Sequence, residues 1–419
     1  MNTNMTSAEF NKQYKLTKEF TTKIVFSKSK KNSNSIAGKP KVLTVEIIKR
    51  FFKNPAVIVA TIIFLTILIL AIVASYGSSY HAQVRIDQDN PTSFVNDLPP
   101  KFSPYKTDKI PSAAAEKGTV WWYLKEFTHG PYKQYLSKYA KYSIDKTSNN
   151  KLFSYDVYSF WHGYMLWNIL KATDPHTLTQ AQVDALSSTI PELHTHFGTT
   201  SRMFDIWTSV WYDTLQSIKI AFLVATIEAV IGIMVGAYLG FHAGKWLDTI
   251  MMRVIEIFQA PPSIIWLLMF VSLWGEKDIV LICGLLFVGW TWPIGATRMF
   301  IITVKDEEYI VASKSVGAST SRQIFAHALP AILGKVAMNY VRRIPAVIMS
   351  IASLAFLGFF GASDSTNIGA FMFQNLEQSE QNAWLLILPA TILLLLSLSM
   401  QFIALGLHDA LDPRVVKVK

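Results

Sequence analysis

The sequence predicts an all-α membrane protein with six transmembrane helices and a large extracytoplasmic insertion between the first and the second. Three observations lead there. Of 419 residues, 51% are hydrophobic and only 16% are charged, a balance of membrane proteins rather than soluble globular ones. Long apolar runs recur, starting with 55–75, 21 residues without a charge, and at about 1.5 Å per residue that suffices for one crossing. Lys and Arg gather at alternate ends of the runs, which orients a chain across a bilayer.

The totals also exclude several classes. A single cysteine, Cys283 in LICGLLFVGW, rules out an intramolecular disulfide framework and any site needing two thiolates. It is expected to be a small buried residue. The net charge of +10 is concentrated in the N-terminal tail and near membrane ends. That pattern suits cytoplasmic retention of those parts rather than nucleic-acid binding.

Residues 1–54 form a basic tail with twelve Lys and Arg, three Glu and no Asp. Within it, VEIIKRFFKNP at 45–55 predicts an amphipathic helix on the membrane surface, with Phe51 and Phe52 facing lipid. The positive region is too long for a cleavable signal, and no small-residue cleavage site follows. The basic flank precedes the first span, 55–75, so the N-terminus is expected in the cytoplasm. Residues 76–211 then form the insertion, about 136 residues, enough to bury a modest core. Its aromatic pieces, WWYLKEF at 121–127 and YSFWHGYMLWNIL at 158–170, suit a folded lobe, a membrane-surface contact or a partner contact. DPHTLTQAQVDALSS has the start signals and apolar spacing of a short surface helix. His194 and His196 lie near Glu192, but the spacing is short and no second ligand cluster accompanies them. No metal site and no cofactor is expected from them.

Residues 212–407 predict a five-helix core. In 212–241, Gly232, Gly236 and Gly240 recur every fourth residue, a face on which another helix approaches closely. Glu228 lies in the same span. An intramembrane carboxylate faces a bundle interior or an aqueous path, so Glu228 either pairs inside the bundle or lines a route through it. The next crossing, VIEIFQAPPSIIWLLMFVSLW, is expected to break or kink at Pro261 and Pro262. Glu256, Pro262 and Ser263 around that break are further candidates for a pore or bundle interior. GEKD at 275–278 is an external turn, and the following span returns to the cytoplasm near Arg298. Another crossing is placed at 343–360, with Arg342 and Arg343 at its cytoplasmic entrance. Residues 361–382 are external, the last span follows, and 408–419 form a basic cytoplasmic tail, leaving both termini inside.

Between the fourth and fifth spans lies a polar cytoplasmic stretch within 301–335, EYIVASKSVGASTSRQIFAHALP from Glu308 to Pro330. Its acids favour the positive end of a first short helix. Gly317 breaks the pattern, Ser319 caps a second short helix, and Pro330 ends it. Two short helices bent at a glycine make either a knob that docks into a groove on a soluble partner or an ordinary polar loop.

This stretch resembles the coupling motif of the inner-membrane permeases of ABC importers. Ala312 and Ser313 stand at the two alanine positions of the E-A-A signature, Gly317 at its glycine and Leu329-Pro330 at its end. Val311 replaces the signature glutamate, while Glu308-Tyr309 is similar to the acid-aromatic lead-in of peptide permeases. HFGTTSRMFDIWTSVWYDTLQSIKIA resembles a segment of the C-type subunit of oligopeptide, dipeptide and nickel importers, matching at His196, Phe197, Gly198, Thr199, Asp205 and Ser217. Thr200 to Phe204 departs from it. Arg253, Glu256, Pro262 and Ser263, then SLAFLGFF at 353–360 and DALDPR at 409–414, follow the same subgroup in order, with His408 where arginine is usual. The resemblance covers roughly 45–75 and 194–414 and leaves out most of the insertion.

It implies the type I ABC importer permease fold and a bacterial plasma-membrane location. It implies that this chain forms half of a pore with a B-type permease subunit, in an ATP-driven oligopeptide importer. Two cytoplasmic ATPase subunits would receive the coupling residues, Glu308, Tyr309, Ala312, Ser313, Gly317, Ala318, Leu329 and Pro330. An extracytoplasmic substrate-binding lipoprotein would deliver the peptide. Carriage of dipeptides, nickel or another small solute is the alternative within the family. An ion-gradient transporter is a weaker one, resting on Glu228 alone. The chain has no GxxxxGK[ST] loop, so it is expected to be a transport subunit and not an enzyme.

Overall fold

A computed structural model describes residues 43–411 apart from 88–93, 113–115, 146–150, 276 and 358–365, together with residue 12. Nearly all of the basic tail, most of the C-terminal tail and parts of the 353–360 and 409–414 motifs lie outside the described residues.

Helix α1 (Leu43–Phe51) is the short amphipathic element expected before the first span. Asn54 then caps α2 (Pro55–Gly77), its side chain accepting the Ala56 N–H at 3.0 Å, with Pro55 at the first helical position, where its missing donor costs nothing. One face of α2, including Ile67 and Ala71, is buried, while Val59, Ile62 and Ile69 are exposed apolar residues. That exposure is stable where lipid replaces water.

The insertion folds as a lobe around its own core. Strands β1 (Tyr105–Lys109), β2 (Tyr142–Asp145) and β3 (Leu152–Asp156) form an antiparallel sheet in the order β1-β3-β2. Helices α3 (Val120–His129), α4 (Lys133–Leu136), α5 (Val157–Leu170) and α6 (Gln180–Thr189) accompany it. The aromatic pieces that left several roles open supply the core: Trp121, Phe127, Phe153, Phe160 and Tyr164 are buried together. Phe94 stands edge-on to Phe160 and Tyr164 at 5.1 and 5.0 Å, the arrangement ring quadrupoles favour. Asp156 caps α5 by accepting from Tyr158 N and Ser159 N at 3.1 and 3.0 Å. Thr179 and Gln182 form a capping box on α6.

The helix after the lobe, α7 (Ile206–Phe241), has 36 residues and starts six residues before the expected boundary at 212. Asp205 sets that start, accepting from the Thr208 N–H and hydroxyl at 2.9 and 2.7 Å. Glycines Gly232, Gly236 and Gly240 face α11 (Thr291–Ile302), where an added Cβ would lie 2.3–2.7 Å from Pro293, Ile294 and Arg298. The close approach of these two helices therefore needs glycine.

Helices α8 (Trp246–Gln259) and α9 (Ser263–Trp274) meet at a 73° bend. The chain bends at Pro261 and Pro262, which cannot continue the hydrogen-bond ladder. Helix α10 (Asp278–Gly289) runs into α11, and together they make one candidate span of 25 residues. Cys283 is exposed on α10; the apolar run around it presents an outer face, so a small residue there is not buried by this chain. After the short α15 (Ile368–Gln374), the last helix, α16 (Trp384–Leu411), packs against α2 and against the helix at Leu329–Phe356. Among the described residues, five helical runs are long and apolar enough to cross a membrane, or six if the bent pair is one span. The chain is thus a multi-pass membrane protein.

The fifth span departs from its expected form. A short α13 (Thr320–Arg322) leads through a π turn at Gln323–Ala328 into α14 (Leu329–Phe356), and the whole run is 37 residues long. Pro330 does not end a helix; it sits in the first turn of α14. The wider turn before it absorbs the clash a proline ring makes with the carbonyl four residues back. Arg342 and Arg343 lie in the middle of α14.

Candidate functional site: a surface knob and a buried ion pair

The knob is built from α12 (Glu308–Ser315) and the start of the fifth run. Ile310, Ile324 and Ala328 are buried with Ile301, Val304 and Ala237, which seat it on the ends of α7 and α11. Gly317 has φ +85, and the Ala318 N–H donates to Ser313 O at 3.1 Å, closing α12 with a left-handed residue. Ser319 Oγ accepts from Arg322 N at 3.3 Å, and Gln323 Nε2 donates to Ala318 O at 2.7 Å. The turn is thus held from both sides. Glu308, Tyr309, Ala312, Gly317 and Pro330 are exposed. Ser313 is buried, its hydroxyl without a partner among the described residues, while Ala318 and Leu329 are half-buried. Val316 at the tip is 86% exposed. Ser319→Ala is expected to destabilise the knob by about 1 kcal/mol, seen as faster amide exchange across 319–325 with no change elsewhere.

Glu228 lies 115 residues before its partner. Arg343 Nε donates to Glu228 Oε2 at 2.5 Å and its Nη2 to Oε1 at 2.9 Å, a two-pronged pair across α7 and α14. Glu228 is 1% exposed and the Arg343 side chain 23%. Gly289 at the end of α10 makes room for the pair: a Cβ there would lie 1.6 Å from Glu228 Oε1 and 2.5 Å from Arg343 Nη2. The pair lines a cavity of about 490 Å³ whose walls include Leu267, Val288, Trp292 and Pro293.

Ser263 lines this cavity; Glu256 and Pro262 do not. Glu256 is exposed and paired with Arg253 at 2.6 Å, one turn away on the same helix. The bend at the prolines sends α8 along a different axis from α9, so residues on its two sides do not share one lining. A second ion pair, absent from the sequence expectations, joins α8 to α11. Arg298 Nε and Nη2 donate to Asp248 at 2.5 and 2.7 Å, and Asp248 also accepts from Gly244 N at 2.9 Å. An acid–arginine spacing of fifty residues carries no local signal, so only the fold reveals it.

The segment HFGTT forms the joint between lobe and bundle. Phe197 stacks on Trp207 at 5.5 Å and meets Trp384 at 4.9 Å. Asn382 Nδ2 donates to Phe197 O at 2.9 Å. Thr199 N donates to Leu98 O at 3.1 Å, its hydroxyl accepts from Leu98 N at 3.0 Å and donates to Val95 O. Burial raises the Asp205 carboxyl pKa above its ordinary range, against the lowering by the Thr208 donors. His196 O accepts from Lys101 N at 3.2 Å and Gly198 O from Ile206 N at 3.1 Å, further backbone ties at this joint. His194 and His196 stand with no cluster: among the described residues, no three His, Cys, Asp or Glu side chains are placed to hold a metal.

Two family models match the chain. One, described as the N-terminal transmembrane domain of oligopeptide transport permease C, matches residues 43–100. The other, the binding-protein-dependent transport system inner membrane component, matches residues 232–417. The chain is 33% identical to the oligopeptide transport system permease protein OppC of Mycoplasma genitalium, over 92% of this chain and 94% of that protein. It is 31% identical to the OppC of Mycoplasma pneumoniae over the same shares. Against the OppC of Bacillus subtilis the identity is 28%, over 53% of this chain and 72% of that protein. By these matches the chain belongs to the family of binding-protein-dependent transport system inner membrane components, in its OppC-like branch.

Proposed function

We propose that the chain is the C-type permease subunit of an ATP-driven oligopeptide importer in a bacterial plasma membrane. It forms half of a pore with a B-type permease subunit, and two cytoplasmic ATPase subunits dock on its knob. An extracytoplasmic binding lipoprotein delivers peptide on the side of the lobe, and both termini lie in the cytoplasm. The observation that carries this reading is the single helical run from Thr320 to Phe356. It begins in the knob and supplies Arg343 to the cavity. Movement imposed on the knob by nucleotide-driven closure of the ATPases then reaches the cavity through one element. Coupling of this kind requires the knob to contact its partner differently in two states. Glu228, Ser263 and Arg343 face the route; Glu308, Tyr309, Ala312 and Gly317 face the ATPase. The basic flank of α2 and the exposed Val316 tip support the orientation and the docking.

The test is reconstitution of the complex in proteoliposomes with its binding protein. Peptide uptake that depends on ATP is expected. Ala312→Trp is expected to lower co-purification of the ATPase subunits by about tenfold, a loss of about 1.4 kcal/mol. Undiminished ATPase retention and transport in that variant would show that the exposed face is not the docking face.

A further inference from the structure

The charges lining the cavity do not balance. Its charged residues are Glu228, Arg342 and Arg343. Glu228 and Arg343 satisfy one another. Arg342 makes no hydrogen bond or ion pair among the described residues, and its Nε is buried without a partner. A guanidinium within a membrane-spanning bundle ordinarily pairs with an acid or with backbone carbonyls, since leaving it alone is costly. Buried donors in native structures almost always have acceptors. The terminal nitrogens of Arg342 are not among the buried atoms and Arg342 lines the cavity, so an acceptor that enters the cavity can reach them.

The cavity bounds what that is. Its volume of about 490 Å³ lies in the range of sites that hold small molecules, and exceeds what one inserted side chain would fill. Its walls are largely apolar, with Leu267, Val288 and Trp292, and its polar groups are few. Asn339 stands one turn before Arg342 on α14 and also lines the cavity; residues three apart share a helix face. An amide and a guanidinium side by side offer several N–H donors and an uncompensated positive charge. That chemistry selects a carboxylate, which guanidinium binds through two parallel hydrogen bonds.

We propose that Arg342, with Asn339 beside it, is a carboxylate-binding subsite within the membrane. It receives the C-terminal carboxylate of a peptide in transit while the apolar walls accept side chains without regard to their identity. The Glu228–Arg343 pair keeps the neighbouring arginine occupied, so a single free charge meets the substrate. This inference rests on the peptide-importer reading. It adds that the permease, and not only the binding protein, distinguishes the end of the peptide.

The test compares a peptide with a free C-terminus and the same peptide amidated, each at saturating, separately measured occupancy of the binding protein. Uptake by reconstituted complexes carrying wild-type chain, Arg342→Gln or Arg342→Lys is followed. Wild type is expected to carry the free acid at least tenfold faster than the amide. Arg342→Gln should lose most of that ratio by slowing the acid alone, while Arg342→Lys keeps part of it. Amide transport within each variant reports that the complex is folded. A wild-type ratio near one, an unchanged ratio in Arg342→Gln, or equal loss of both peptides in both variants overturns the subsite and leaves the importer intact. Failure of wild type to carry either peptide overturns the importer reading and this one with it.

Discussion

Arg343→Leu is expected to destabilise the protein by about 3–5 kcal/mol, because it leaves a carboxylate buried with no compensating charge. Glu228 is 1% exposed, with the guanidinium its direct partner on the wall of the cavity both residues line. Glu228→Leu strands Arg343 instead, and since that side chain is 23% exposed the cost falls toward the lower end. The double variant Glu228→Leu, Arg343→Leu should recover much of the loss, since replacing both ends of a buried pair with apolar groups is often close to neutral. Thermal melting of the detergent-purified chain, read as a double-mutant cycle, measures this. A coupling of about 2 kcal/mol or more is expected, and simple additivity would show that the two residues act separately.

Gly198→Ala is the second large effect, expected at about 2–5 kcal/mol. Gly198 has φ +88, and a Cβ there would lie 1.9 Å from Leu98 O. The left-handed backbone alone costs an L-residue about 1–2 kcal/mol; forcing an atom into filled space adds about 1–3 kcal/mol. The displaced carbonyl is the one that accepts from Thr199 N at 3.1 Å, so the joint between lobe and bundle opens. Gly118→Ala is the control: its φ is +84, with nothing within 4 Å of an added Cβ. It should show only the backbone cost. Limited proteolysis of the lobe and the melting temperature of both variants separate the two contributions. Equal effects in the two would deny that Leu98 matters.

Much of this fold was legible from apolar runs and punctuation. The uncharged run from Pro55 located α2, and the proline pair at 261–262 located the bend, because backbone chemistry there is local. The glycine face of α7 was legible for the same reason. Pro330 misled because a π turn lets a helix pass through a proline, and no residue type marks such a turn. The charges of Arg342 and Arg343 suggested a span's end; the cavity they line is formed by several helices and left no mark in the local sequence. The lobe's strands escaped notice because YKTDK and YSID are short and lack clean alternation. Of the site, Glu228 stood out as an acid among apolar residues. Its partner and Gly289 were invisible, since long-range pairing leaves no trace in local spacing.

The fifth run also has a mechanical consequence. Stiffness in a helix comes from its unbroken ladder, and compliance collects where the ladder is altered. In this run those places are the π turn at Gln323–Ala328 and Pro345, which lacks the N–H that would reach Val341. Between them lies a strut of about 24 Å at the usual rise, with Asn339, Arg342 and Arg343 at its far end. Asn339, Arg342 and Arg343 therefore belong to one stiff segment that starts at Leu329, beyond the turn that joins it to the knob. Yield is confined to the two altered turns, so when either flexes the three residues keep their geometry relative to one another.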